Sequence, residues 1–290
     1  MENLIKEMKD VEDLKYYEVT TDNPIIIKLE SFEEKNIYHY TTKISAKSIL
    51  DNNCLWVTRS DYLDDKSEIK YISKVLEGII IYLKTNKNLY DVGVGGQYNI
   101  LESIIKTLEA LREIYKVTTP IMGGDMYILS LTANKSNKFL LENYSGKKGV
   151  VLKFINDIDA MFKNDRFSDY KISTFCAKVV YDYGEQMTLI IEDINEFYHE
   201  LITNLIDVKG SVDFEEVVET IKTVIYLKII NYALFFKNEK FSKEEECRIA
   251  FLVVNENSDG FVKYRKKGNK MIPYIEVELK KESLSKVSYR

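Results

Sequence analysis

Ile37-Tyr38-His39-Tyr40-Thr41-Thr42 is the stretch on which the reading of this chain turns. Its first half alternates in the manner of a short strand, which sends His39 to the face opposite Tyr38 and Tyr40. Its second half offers helix-capping hydroxyls. Thr41, Thr42 and Ser45 can cap a helix that buries Ala46, Ile49 and Leu50. His39, one of only two histidines in 290 residues, thus stands at a strand end just before a turn, a common way to deliver a polar group to a pocket. The plainer reading of the same residue is a half-buried histidine bonded to a backbone carbonyl.

Working outward, residues 1–35 read as an N-terminal arm, a charged helix-like segment followed by the extended Pro24-Ile25-Ile26-Ile27. Downstream, Cys54-Leu55-Trp56-Val57-Thr58 reads as a second strand and residues 59–65 as a polar loop. Asp65 and Glu68 have capping-box spacing, which predicts a helix from Ile69 through Ile72, Val75, Leu76, Ile79, Ile80 and Leu83. A break containing Gly93, Gly95 and Gly96 follows; with no preceding strand and no Gly-Lys-Ser/Thr ending, it is not a phosphate loop. A second helix carries Tyr98, Leu101, Ile104, Ile105, Leu108, Leu111 and Tyr115, so residues 65–117 form a paired helical insertion.

Strands then dominate: Met126 to Thr132, Gly149 to Phe154, and Thr174 to Tyr181, with a short helix from Ser136 to Tyr144. A second helical insertion spans 186–237, and three strands close the chain at Glu244–Val254, Gly260–Lys266 and Met271–Leu279. Strands and helices do not alternate regularly, which argues for an α+β domain over 36–290 rather than a doubly wound sheet. With only three prolines and no Pro/Ser-rich linker, one continuous domain is expected.

Bulk chemistry narrows the function classes. A net charge of −5 argues against wholesale wrapping of nucleic acid. One local basic patch stands out, Lys263, Arg265, Lys266, Lys267 and Lys270 around Gly268, whose plainest reading is a solvated hairpin tip. Three scattered cysteines in apolar runs point to reduced core residues and a cytoplasmic compartment. Two histidines and no paired cysteines argue against a dedicated zinc site, and no apolar run reaches membrane-spanning length. Met1-Glu2-Asn3-Leu4 has neither the basic start nor the apolar core of a signal peptide.

The second informative stretch is Glu244-Glu245-Glu246-Cys247-Arg248-Ile249-Ala250-Phe251. Read as one strand, it puts Glu244, Glu246 and Arg248 on one face and Cys247, Ile249 and Phe251 on the other. Two carboxylates on one face cost free energy unless a cation or a ligand meets them. Arg248 can pair with Glu246 and leave Glu244, or the reverse. The structural alternative is an exposed edge with a surface salt bridge worth about 0–1 kcal/mol.

Taken in order, these pieces resemble a prokaryotic family catalogued as domain of unknown function 2971. The resemblance rests on Tyr38-His39-Tyr40, Trp56-Val57-Thr58, Leu63-Asp64-Asp65-Lys66-Ser67-Glu68, Ser130-Leu131-Thr132, the helix from Asn137 to Tyr144, Gly149-Val150, and Glu244-Glu245-Glu246-Cys247-Arg248. It covers roughly residues 36–255, and departs from the pattern at Leu141, where Trp is usual, and Lys66, where Pro is usual. That layout is in turn similar to the His-Tyr-Glu branch of ADP-ribosyltransferases, a fold-level analogy. It implies a split, mostly antiparallel β-sheet domain with helical insertions, binding NAD as substrate without a metal.

By this resemblance, His39 contacts the ribose next to adenine, with Tyr40 beside it. Tyr62 stacks on nicotinamide, with Tyr144 as second candidate, the plainer reading of either being a partly buried tyrosine, and Ser130 either lines the cleft or fills a strand position. Glu246 holds the nicotinamide ribose and Glu244 faces the acceptor, the reverse assignment being open. Cleaving the nicotinamide-ribose bond puts positive charge on the ribose, which a nearby carboxylate stabilises. Such a protein would act as a toxin or phage-defence effector on an acceptor, protein or nucleic acid, that the sequence does not name. Two other readings compete. One is a metal-dependent nuclease or hydrolase using Glu244, Glu246, Asp64 or Asp65 with Mg²⁺. The other is a non-catalytic module that binds a nucleotide or a protein. The oligomeric state is not legible.

Overall fold

The hub of the molecule is a strand whose two edges are used differently. In the computed structural model, which describes residues 34–63, 65, 67, 69–90, 99–117, 124–146, 149–163, 172–207, 214–254 and 260–287, this strand is β3 (Gly124–Thr132). It reads Met126-Tyr127-Ile128-Leu129, apolar on both faces, and both faces are covered. On one edge β6 (Glu246–Val254) pairs with it from Gly124 to Thr132, and β5 (Ser173–Lys178) pairs with β6. The other edge is shared. β2 (Cys54–Arg59) meets it only at Tyr127 and Ile128, and β1 (Asn36–Thr41) only at Thr132.

The sheet therefore forks. From β2 one arm continues to β8 (Lys270–Glu278) and β7 (Val262–Lys267); from β1 the other continues to β4 (Val150–Ile155) and β9 (Leu284–Val287). All pairings are antiparallel, and the described residues form an α+β fold around a single curled nine-stranded sheet. Strand β9 lies beyond the last strand expected from the sequence; its four residues are too short to show a period.

Each face of the sheet has its own core. One buries Leu55, Val57, Leu129, Ile249 and Phe251 with Ala46 and Ile49 of α1 (Lys43–Asn52). Thr42 caps α1, its hydroxyl accepting from the Ser45 amide at 3.2 Å, as the opening stretch suggests. The other face, with Met126, Ile128 and Ala250, is covered by both helical insertions. These are α2 (Ile72–Thr85) and α3 (Ile100–Val117), then, after α4 (Lys138–Asn143) and α5 (Ile158–Met161), α6 (Tyr183–Asp207) and α7 (Phe214–Phe235). No helix among the described residues is long and apolar enough to cross a membrane.

Several expected boundaries move. α2 starts at Ile72 rather than Ile69, because Ile69 sits at φ +59° and cannot continue a right-handed helix. Burial of the Ile69 side chain offsets the roughly 1–3 kcal/mol such a backbone costs. Asp65 does not cap that helix; its carboxylate accepts from the Ser67 amide at 2.9 Å in a local turn. α6 begins at Tyr183, earlier than its apolar period suggests, because Asp182 accepts from the Glu185 amide at 2.7 Å. β5 ends at Lys178, so Tyr181 lies outside it. The Pro24 arm, Asp64, Glu68 and the Gly93–Gly96 break lie outside the described residues.

Candidate functional site

Directly opposed residues of antiparallel strands point to the same face. On the face toward the helical layer, β3 presents Met126, Ile128, Ser130 and Thr132, and β6 opposes them with Leu252, Ala250, Arg248 and Glu246. The first half of this surface is apolar and lies under the helices. The second half turns polar where the sheet forks, and there Ser130 is exposed in a strand otherwise buried or half-buried.

Glu244 is not part of that strand. It ends a 3₁₀ turn, Glu239–Glu244, and Glu245 follows at φ +47°, a left-handed reversal, before β6 begins at Glu246. The reversal, rather than strand alternation, sends both acids to one cation. Lys237, just past the end of α7, donates to Glu244 Oε2 at 2.6 Å and to Glu246 Oε2 at 3.1 Å. Arg248 grips Glu246 with two prongs, Nε to Oε1 at 2.7 Å and Nη2 to Oε2 at 3.0 Å, and gives Nη1 to the Leu234 carbonyl at 2.6 Å. The Ser130 hydroxyl donates to Glu246 Oε1, and the Tyr144 hydroxyl to Glu244 Oε1 at 2.6 Å. The edge-strand salt bridge weighed from sequence does not occur: Glu244, Glu246, Lys237 and Arg248 are all buried.

Two acids and two bases balance one another in this quartet. Burial pushes the Glu246 carboxyl up, but the charges of Arg248 and Lys237 and hydrogen bonds from Arg248 and Ser130 outweigh it and hold the group at about 2. Glu246 is therefore ionised at any physiological pH. The Tyr181 hydroxyl accepts from the Glu246 amide at 3.0 Å, and burial together with the Glu246 charge drives its pKa up.

His39 joins this group through the backbone. Its Nδ1 lies 3.2 Å from the Ser130 carbonyl oxygen. A carbonyl only accepts, so Nδ1 carries the proton and Nε2 is left as an acceptor. The ring is half-buried, and burial pulls its pKa below the ordinary value against the opposing carbonyl bond, so it is neutral at pH 7. This is the plainer of the two readings of His39. Register sets it beside Leu152 on the face away from Glu246, while Tyr38, opposite Thr132, shares the Glu246 face. At the fork a β3 carbonyl has no strand to bond, and His39 bonds it instead.

Tyr40 acts through the loop after β3. Its hydroxyl donates to the Asn134 carbonyl at 2.9 Å and accepts from the Asn137 amide at 2.8 Å. Asn137 caps α4, accepting from the Leu140 amide at 2.9 Å, and ties down the acidic turn by donating Nδ2 to the Lys243 carbonyl at 2.9 Å. Asn134 donates to Glu245 at 2.5 Å. Tyr40 is thus a positioning residue for the turn that carries Glu244.

Tyr62 lies elsewhere. β2 runs antiparallel to β3, so the chain after Arg59 heads toward Gly124 and away from Ser130. The Arg59 guanidinium covers the Tyr62 ring at 5.0 Å from its centroid. The fold thus brings together Ser130, Tyr144, Glu244 and Glu246, sets Tyr40 behind the turn that carries Glu244, puts His39 on the other face of the sheet, and leaves Tyr62 out. Sequence reasoning overlooked Lys237, although a lysine ending the apolar run Ala233-Leu234-Phe235-Phe236 and followed closely by acids is a usable signal.

A divalent ion between Glu244 and Glu246 would have to displace the Lys237 ammonium, which already bridges them. No family model, no curated protein and no solved structure matches the chain.

Proposed function

We propose that this chain is an ADP-ribosyltransferase-like, NAD-consuming effector whose reacting centre is the polar patch at the sheet fork. The observation that carries the reading is one connected chain of side-chain contacts, Ser130–Glu246–Lys237–Glu244–Tyr144, in which Ser130 and Glu246, 116 residues apart in sequence, meet at the fork. The forked antiparallel sheet supports it further.

The geometry recasts the roles of the two acids. Both Glu246 oxygens are engaged by Arg248, Lys237 and Ser130, so Glu246 acts as a fixed negative charge that orients its neighbours. Glu244 accepts from Tyr144, a half-exposed side chain that can give way to a ligand. Glu244 is therefore assigned the ribose-facing role, with Tyr144 against the nicotinamide, while His39 braces the Ser130 backbone from the other face. When the ribose C–N bond breaks, nicotinamide leaves with the electron pair. The Glu244 carboxylate stabilises the positive charge left on the ribosyl carbon until an acceptor heteroatom bonds it and releases its proton to solvent.

The test is to incubate purified protein with labelled NAD under chelation, with and without cell lysate. Nicotinamide release or label transfer is expected, reduced at least about a hundredfold in a folded Glu244→Gln variant. Absence of NAD binding by calorimetry together with absence of turnover in lysate would overturn the reading. The charge balance of the quartet favours one alternative, a non-catalytic module in which the same cluster is only a staple. That reading expects the biological effect to survive Glu244→Gln in a protein that still folds.

A further inference from the structure

The basic hairpin and its neighbours carry a second site, independent of the fork chemistry. Strand register sorts this arm into two faces. Arg265 opposes Ile272, Lys263 opposes Tyr274 and Lys267 opposes Lys270, and across β8 Trp56 opposes Glu276 and Thr58 opposes Tyr274. Lys263, Arg265, Lys267 and Lys270 therefore share one face with Trp56, Thr58 and Tyr274. The opposite face carries Val57, Ile275 and Val277 into the core. The cationic face is also the face of Ile128, because Thr58 opposes Ile128.

An indole that is 46% exposed stands on this surface instead of in a core. Trp56 stacks on Tyr274 with centroids 4.6 Å apart. The Arg265 guanidinium lies over both rings, 5.9 and 5.7 Å from their centroids, and is pinned by a 2.8 Å bond from Nη2 to the Thr58 hydroxyl. Beside it, Thr58, Tyr62, Leu63, Arg265, Lys267 and Ile272 line a cleft of about 90 Å³. Glu276 offsets part of the charge through its 2.5 Å pair with Lys263, and Lys267 and Lys270 stand exposed at the tip. A solvated hairpin tip explains the lysines; it does not explain an exposed tryptophan paired at a tilt with Tyr274 beside an arginine.

We propose that this face is a docking surface for a single-stranded nucleic acid, with bases stacking on Trp56 and near Tyr62 and phosphates meeting Arg265, Lys267 and Lys270. Aromatic platforms interleaved with cations are what a single strand requires, because every base offers a π-face and every phosphate a charge. A duplex hides its base faces and would use only the cations. An acidic protein would also answer the charge but has no need of the exposed aromatic pair.

The test uses the full chain and a fluorescein-labelled 15-nucleotide oligouridylate, followed by anisotropy across a salt series. Binding is expected to weaken with salt at a log–log slope of about −2, from three phosphate contacts at about 0.7 each. Lys267→Glu with Lys270→Glu, at an exposed tip that cannot threaten folding, should weaken binding by at least about tenfold and flatten that slope. Trp56→Ala should weaken it by about tenfold with the slope unchanged. No binding at low salt, equal binding of a duplex of the same length, or indifference to the tip charge reversal would each overturn the proposal.

Discussion

Two buried ion clusters among the described residues are built differently. In the helical layer Asp193 of α6 meets Lys228 of α7 at 3.1 Å and accepts from the Tyr232 hydroxyl at 2.7 Å. At the fork Glu246 receives a two-pronged guanidinium, an ammonium and a hydroxyl. Burial pushes the Asp193 carboxyl up in spite of Lys228 and Tyr232, whereas it fails to push Glu246 up. One cation does not repay the desolvation of a carboxylate; two cations and a hydroxyl do. The helical pair is thus a packing solution that apolar residues could replace. The fork cluster holds a charge that the fold maintains deliberately at the point where its sheet divides.

The largest effect that would break this contrast is expected at Arg248. Arg248→Met removes a side chain that is 0% exposed, strips Glu246 of its main partner and leaves the Leu234 carbonyl without its donor. A loss of roughly 3–5 kcal/mol in denaturant unfolding is expected. A loss below about 1 kcal/mol would put the fork cluster in the same class as the helical pair.

Acid titration sharpens the comparison. The folded pKa of Glu246 lies below its ordinary 4.5, so its contribution is complete above about 4.5 and disappears as pH falls toward 2. Over that window the wild type should lose roughly 2–4 kcal/mol from this group. Glu246→Gln should flatten that limb while starting from lower stability at pH 7. Unfolding midpoints measured at a series of pH values check both.

The smallest effect belongs to the helical layer. Asp193→Asn combined with Lys228→Met should change stability by no more than about 1 kcal/mol in either direction, because the pair is nearly self-cancelling. Thermal unfolding of the double variant reads this directly. A loss above about 3 kcal/mol would show that the helical pair is held as firmly as the fork.

Local signals in the sequence predicted most elements well. The apolar periods of α2, α3 and α7, the alternation at the start of β1 and β6 and the apolar run of β3 follow from side-chain spacing alone. The α1 cap at Thr42 was legible because it is a contact over three residues. The acidic stretch was misread for an equally local reason. Left-handed backbone at a non-glycine residue such as Glu245 has no sequence signature, and it converts a supposed strand position into the end of a 3₁₀ turn. At Asp65 the capping pattern was present, but Ile69 in left-handed conformation overrode it. The resemblance places Tyr62 at the site; strand direction carries it the other way.

The amino-acid sequence alone determined the α+β class, both helical insertions, and the interest of His39, Glu244 and Glu246. Each of these depends on residue type and on spacings of two to four. Tertiary structure alone decided that β3 shares an edge between two diverging strands, that Lys237 bridges the acids, and that Trp56 and Arg265 stack across the β2–β8–β7 arm. Those contacts join residues as much as 209 positions apart, from Trp56 to Arg265 (265 − 56). Their energy depends on burial and on strand register, which no local window of sequence contains.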